Sequence, residues 1–243
     1  MKYKRVRARR RARSGRGPAR ALTAAVGVLS AVLGTPAIAC AHPFTGPHHR
    51  EIVVIGDSFT GGSAEGGTGP KSWTELSWTR LRADGIDVAP EVSGEGGAGF
   101  VARGTDGTTL PEEARRLVAA QDEVVVYFGG LNDQNADQGA LRAAVRQTLS
   151  ETRVKVPCAR LLLVGPASLG DPGPRISAVR DVLRHEAEDF GAVFVDPIAD
   201  RWFADSPELI GRDHIHPTDQ GHQYMADRLA PVVESLLQTH PGC

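Results

Sequence analysis

From Arg50 onward the chain alternates short, continuous apolar runs with longer stretches whose apolar residues recur at helical spacing. E-I-V-V-I-G (51–56) is a β-branched run closed by glycine, which predicts a strand buried on both faces. Trp73, Leu76, Trp78 and Leu81 then repeat at helical spacing until Gly85 closes a predicted helix over 73–83. I-D-V-A-P-E-V (86–92) reads as a second strand. Pro111, with Glu112 and Glu113 behind it, starts a helix whose first turn suits proline and acids. Further strands are expected at 123–130, 160–166 and 192–197, with helices over 140–152, 176–190 and 218–237 between and after them. Continuous apolar strands separated by helices imply a parallel sheet covered on both faces. The fold class is therefore α/β: a three-layer α/β/α sandwich with a central parallel sheet of about five strands. One domain over 51–243 is expected, behind a short linker at 42–50.

In open sheets of this kind, ligands bind beyond the carboxyl ends of the strands. Gly56-Asp57-Ser58-Phe59 follows the first strand, and its glycine permits a tight turn that leaves Ser58 at the mouth of the sheet. Asp57 and Ser58 equally suit a helix cap. Ser93 to Gly99 (S-G-E-G-G-A-G) follows the second strand, where glycines can turn backbone amides toward a ligand or form a flexible loop. Gly129-Gly130-Leu131-Asn132-Asp133 follows the third; Asn132 can donate from its side chain, although these are also ordinary turn residues. Asp213-His214-Ile215-His216-Pro217-Thr218 precedes the last helix. A carboxylate three residues before a histidine can meet its ring, fix the tautomer and stabilise the imidazolium. The structural alternative there is a capping turn with a solvated histidine.

Each cluster alone has a structural explanation, but their joint order is specific. G-D-S at 56–58, a glycine near 97, G-L-N-D at 130–133 and D-H-I-H-P at 213–217 resemble the marks of the SGNH hydrolases, also called GDSL esterases and lipases. The resemblance spans roughly residues 51–233. It implies a flavodoxin-like fold and a serine hydrolase that cleaves carboxylic acyl esters through an acyl-enzyme. Carried over residue by residue, it makes Ser58 the nucleophile, His216 the base and Asp213 the group that orients the ring. The backbone N–H groups of Ser58 and Gly97 and the side chain of Asn132 would form the oxyanion hole. The family often has Asn ahead of its glycine; this chain has none there, which leaves Gly96 as the alternative to Gly97. The resemblance implies no cofactor and no metal. The substrate would be a small-molecule, lipid or acetylated-glycan ester, with chain-length preference set by loops around 61–71, 99–110 and 199–212. Two alternatives share the scaffold: a non-catalytic glycan- or ligand-binding module, and an acyltransferase that uses the same acyl-enzyme.

Charge changes the picture at one end only. The formal net charge of −1 conceals ten Lys and Arg and no acid in residues 1–41, which leaves 18 basic against 29 acidic side chains in the rest. So acidic a body is a poor match for phosphate backbones, and nucleic acid is not an expected partner. The basic start is followed by an uncharged apolar run, Ala21 to Gly34, and by T-P-A-I-A-C-A, the order of a secretory signal peptide over 1–41. Cleavage is expected after Ala39 or Ala41, and the product is expected to be secreted and monomeric. A-I-A-C also resembles a lipoprotein box, in which case a lipidated Cys40 would hold the protein at the membrane. In an oxidising compartment Cys158 and Cys243 are candidates to pair.

Three decoys carry less weight. Gly97 to Ala102 fits G-x-G-x-x-A, but no strand ending in a ribose-binding acid follows at the required distance. Gly66 to Ser72 evokes a phosphate loop, yet Pro70 stands where glycine is required. His214, His216 and His222 could be imagined around a metal, but one of them is better used as the base.

Overall fold

The structure, a computed structural model, describes residues 49–239. The expected signal peptide at 1–41 with Cys40, most of the 42–50 linker, and Cys243 with its expected pairing to Cys158 lie outside the described residues.

Five strands form one sheet: β1 (Arg50–Gly56), β2 (Val88–Gly94), β3 (Val124–Phe128), β4 (Arg160–Val164) and β5 (Val193–Val195). Their order is β2-β1-β3-β4-β5, and every neighbouring pair is parallel. The register sets Val54 beside Val92 on one side and Val126 on the other. Successive side chains of a strand point to opposite faces, and β1 divides accordingly. Ile52 and Val54 join an apolar cluster with Trp73, Trp78 and Leu81 of α2 (Trp73–Ala83) and Met225, Leu229 and Val233 of α6 (Asp219–Gln238). Val53 and Ile55 join a second cluster with α3 (Leu110–Leu117), α4 (Gln138–Lys155) and α5 (Gly173–Asp189), through residues such as Leu110, Val145 and Leu183. The expected sandwich of five parallel strands is the observed one.

Helix starts follow local chemistry. Ser72 accepts the Glu75 N–H at the head of α2, and Thr109 with Glu112 forms a reciprocal capping box on α3. Thr218 caps α6 through the N–H of Gly221. Two departures from the sequence reading bear on the site. β2 runs over 88–94 instead of 86–92, because the Ile86 N–H is taken by Leu81 O at 2.8 Å in the closing turn of α2. A four-residue helix, α1 (Ser58–Gly61), follows β1 directly; the side chain of Asp57 caps it by accepting the Phe59 N–H at 2.9 Å.

The chain leaves β1 to build β2 on one side and leaves β3 to build β4 on the other. The crossovers therefore diverge between β1 and β3, and a crevice opens at their carboxyl ends. Ser58 follows the first of these strands and Asn132 the second. Among the described residues no helix is long and apolar enough to cross a membrane.

Candidate active site

His216 sits in a loop closed at its neck. Ile210 and Pro217 form an antiparallel bridge, and the Gly211 N–H donates to His216 O at 2.8 Å. At the tip His214 takes φ 60, a left-handed conformation that histidine tolerates better than most side chains. Asp213 organises this turn: its Oδ1 accepts the N–H groups of Ile215 and His216, each at 2.9 Å. Its Oδ2 lies 2.5 Å from His216 Nδ1, and His216 Nε2 lies 2.9 Å from Ser58 Oγ. A carboxylate needs a donor, so Nδ1 carries the proton and the Nε2 lone pair faces the Ser58 hydroxyl. Desolvation pushes the Asp213 carboxyl up, but the His216 ring and the two backbone N–H groups outweigh it and hold its pKa at about 2. Behind the ring stands Phe59, buried, with its centroid 6.1 Å from that of His216 and 5.9 Å from Phe128. The residue after the serine thus supports the histidine.

The 62–71 loop braces the same segment. Glu65 Oε2 accepts the Arg212 N–H at 2.9 Å, and Asp219 Oδ1 accepts that of Gly67 at 3.0 Å. Both ring nitrogens of His216 are engaged, and His222 is buried with Nδ1 accepting the Trp73 N–H at 3.3 Å. Desolvation brings the pKa of His222 down to about 4. Of the three histidines considered as a metal set, His216 thus has both ring nitrogens engaged and His222 has Nδ1 engaged.

Asn132 and the glycine loop meet beside Ser58. Asn132 Nδ2 donates to Ala98 O at 2.8 Å and to Asp57 Oδ2 at 3.1 Å. Gly97 takes φ 78, which a side chain would strain. The N–H groups of Ser58, Gly96 and Gly97 donate to no acceptor among the described residues, so both glycines keep a free amide. The loop after Gly97 is gripped by Asp133, a fully buried carboxylate that accepts the N–H groups of Phe100 at 2.7 Å and of Val101 and Ala102 at 2.9 Å. A Cβ on Gly99 would stand 2.4 Å from Asp133 Oδ1, so only glycine lets this carboxylate approach.

Asp57, Asp133 and Phe59 lie inside the sequence motifs, yet the sequence reading gave none of them a role in the site. Only the cap made by Asp57 is local enough to read; the partners of these side chains otherwise lie far along the chain, 31 positions from Asp133 to Ala102, 75 from Asp57 to Asn132 and from Phe59 as far as His216. Asp57 is 1% exposed. Desolvation pushes its pKa up to about 7, against the pull of the Phe59 N–H and His216 and with a further push from Asp133.

A cavity of about 170 Å³ lies beside the histidine loop, walled by Leu131, Leu169, Ile176 and Ile215 and by the polar Gln134 and His214. It shares Ser168 with a cavity of about 470 Å³ that reaches Asp171 and Arg201. Of the three loops expected to set chain length, only 199–212 borders this pair. The nearer cavity is built by the β3 and β4 exits, the start of α5 and the histidine loop.

The arrangement defines a class first: a parallel α/β protein with serine, imidazole and carboxylate in hydrogen-bonded series at the switch point of its sheet. The model of the GDSL-like lipase/acylhydrolase family matches residues 54–224. The GDSL lipase Rv0518 of Mycobacterium tuberculosis is 45% identical over 191 residues, which cover 76% of this chain and 82% of that relative. The chain belongs to the GDSL-like lipase/acylhydrolase family and is a hydrolase of the esterase/lipase type. Solved structures share its fold. TesA aligns with a TM-score of 0.64 at 20% identity, over 77% of this chain and 99% of that one. The lipase/acylhydrolase from Enterococcus faecalis aligns with a TM-score of 0.62 at 21% identity, over 76% and 96%.

Proposed function

We propose that the protein is an exported serine esterase that hydrolyses carboxylic acyl esters through an acyl-enzyme on Ser58. The observation that carries this reading is the continuous series from Asp213 Oδ2 through the His216 ring to Ser58 Oγ, at 2.5 and 2.9 Å. Ser58 Oγ attacks the acyl carbon as its proton passes to His216 Nε2, and the ionised Asp213 stabilises the imidazolium that forms. The carbonyl oxygen becomes an oxyanion, received by the free N–H of Ser58, that of Gly97 and the amide of Asn132. Collapse breaks the bond to the alcohol oxygen, which leaves with the proton from Nε2. Water then gives a proton to Nε2 and its hydroxyl to the acyl carbon; Ser58 recovers its proton as the acid departs. The smaller cavity beside Ile215 suits a short acyl chain, and the larger one at Asp171 and Arg201 suits the alcohol half.

Export rests on the basic, apolar and small-residue order of residues 1–41. The mature protein should act as a monomer outside the cytoplasm, with Cys158 and Cys243 paired. The test of the activity uses a fluorophosphonate probe and short p-nitrophenyl esters on the purified protein. Expected are an adduct on Ser58 and loss of ester turnover in Ser58→Ala. A Ser58→Ala variant that turns over at the wild-type rate removes the nucleophile and the mechanism with it.

A further inference from the structure

Asp57 makes a costly arrangement for a helix cap. Capping α1 needs one acceptor, which Asp57 Oδ1 supplies to the Phe59 N–H, and a serine or asparagine would do this without burying a carboxyl. The second oxygen, Oδ2, is buried too and meets the Asn132 amide at 3.1 Å. Asn132 has two amide hydrogens; one is held by Ala98 O in the glycine loop and the other by Asp57 beside the serine turn. The three loops that converge on the crevice are therefore tied at one side chain.

We propose that Asp57 is a positioning residue of the oxyanion hole: through Oδ2 it sets the Asn132 amide against the Ser58 turn that its Oδ1 caps. The inference rests on the proposed function, because positioning of this kind matters only if Asn132 receives an oxyanion. Ground-state donation to Asp57 fixes the plane and the tilt of the Asn132 amide before substrate arrives. An amide is planar, so its two hydrogens keep a fixed geometry, and the one at the longer distance, toward Asp57, is shared between Oδ2 and the developing charge. A misplaced donor costs rate and leaves ground-state binding intact.

Asp57→Asn separates the two roles of the carboxyl. Its amide oxygen keeps the cap on Phe59, while its NH₂ faces the NH₂ of Asn132, donor against donor. With p-nitrophenyl butyrate, Asp57→Asn is expected to lower kcat about 10- to 100-fold with KM within about twofold, since single oxyanion donors are worth about 10²–10³. In an Asn132→Ala background the same substitution should change kcat by less than about twofold, because its route of action is already gone. Thermal melting checks that each variant folds, and Asp57→Ser, which keeps a cap acceptor and lacks the second oxygen, should repeat the result. A wild-type kcat in Asp57→Asn overturns the inference, and so does a loss that is equally large with and without Asn132. A wild-type protein that hydrolyses no ester removes the proposed function itself, and this inference falls with it.

Discussion

At the scale of single residues, the site depends on which nitrogen of His216 holds its proton. The Asp213 carboxylate fixes this by accepting from Nδ1, while its other oxygen holds the backbone of the turn. Asp213→Asn keeps an oxygen for the turn and offers an NH₂ to the ring. The imidazole then moves its proton to Nε2 and can no longer take the one on Ser58. Esterase kcat is expected to fall by about 10³–10⁴, with little change in the folded state, as in triads where the same exchange imposes the wrong tautomer. A fall of less than tenfold shows that His216 finds its tautomer without Asp213. The four polar residues Ser58, Asn132, Asp213 and His216 are legible in the sequence because each stands in a short motif at the edge of a predicted element. Phe59 is not legible, because a phenylalanine after a strand reads as core, and only the fold turns its ring toward His216.

At the scale of elements, the glycine loop between β2 and α3 anchors Ala98 and Phe100 in the core and takes its backbone shape from Asp133. Asp133→Ala leaves three N–H groups without their acceptor, at about 1–3 kcal/mol for each one that stays buried. We expect a loss of about 3 kcal/mol, visible as a fall in Tm of about 10 °C, since 1 kcal/mol shifts a domain of this size by about 2–4 °C. The kcat should fall at least tenfold as Gly97 loses its place. A variant with unchanged Tm and kcat means the loop holds itself. Most elements are legible because buried strands and helix starts carry local signals: V-V-V-Y-F for β3, and Pro111 with Glu112 and Glu113 behind it for α3. The start of β2 is less so, because a helix-closing hydrogen bond from Ile86 competes with the ladder. α1 is too short for periodicity, and Asp57 reads as a possible cap without showing that the capped turn carries the serine.

At the scale of the whole molecule, two buried groups make stability depend on pH in opposite senses. Desolvation raises the Asp57 pKa from 3.8 to about 7, so the folded state binds its proton more tightly than the unfolded chain does. Its contribution is complete below pH 3.8 and is lost as pH rises to about 7. Desolvation lowers the His222 pKa from 6.5 to about 4, so its contribution is present above pH 6.5 and is lost as pH falls to about 4. Between about pH 4 and 6.5 the two slopes have equal size and opposite sign, and their sum is nearly flat. Asp57→Asn removes one of them. The stability of the variant relative to wild type should therefore climb with pH across this window, by on the order of 3 kcal/mol at one proton over the span. Urea unfolding of both proteins at pH 4, 5, 6 and 7 reads this difference directly, free of the carboxylates and histidines they share. A difference that stays constant with pH means Asp57 titrates alike in the folded and unfolded chains. In that event the carboxyl beside Asn132 is an anion throughout the working range, and its hold on the amide is that of a full charge. A rising difference means instead that the grip on Asn132 weakens as the carboxyl gains its proton below neutral pH, which ties the stability of the domain to the setting of the proposed oxyanion hole.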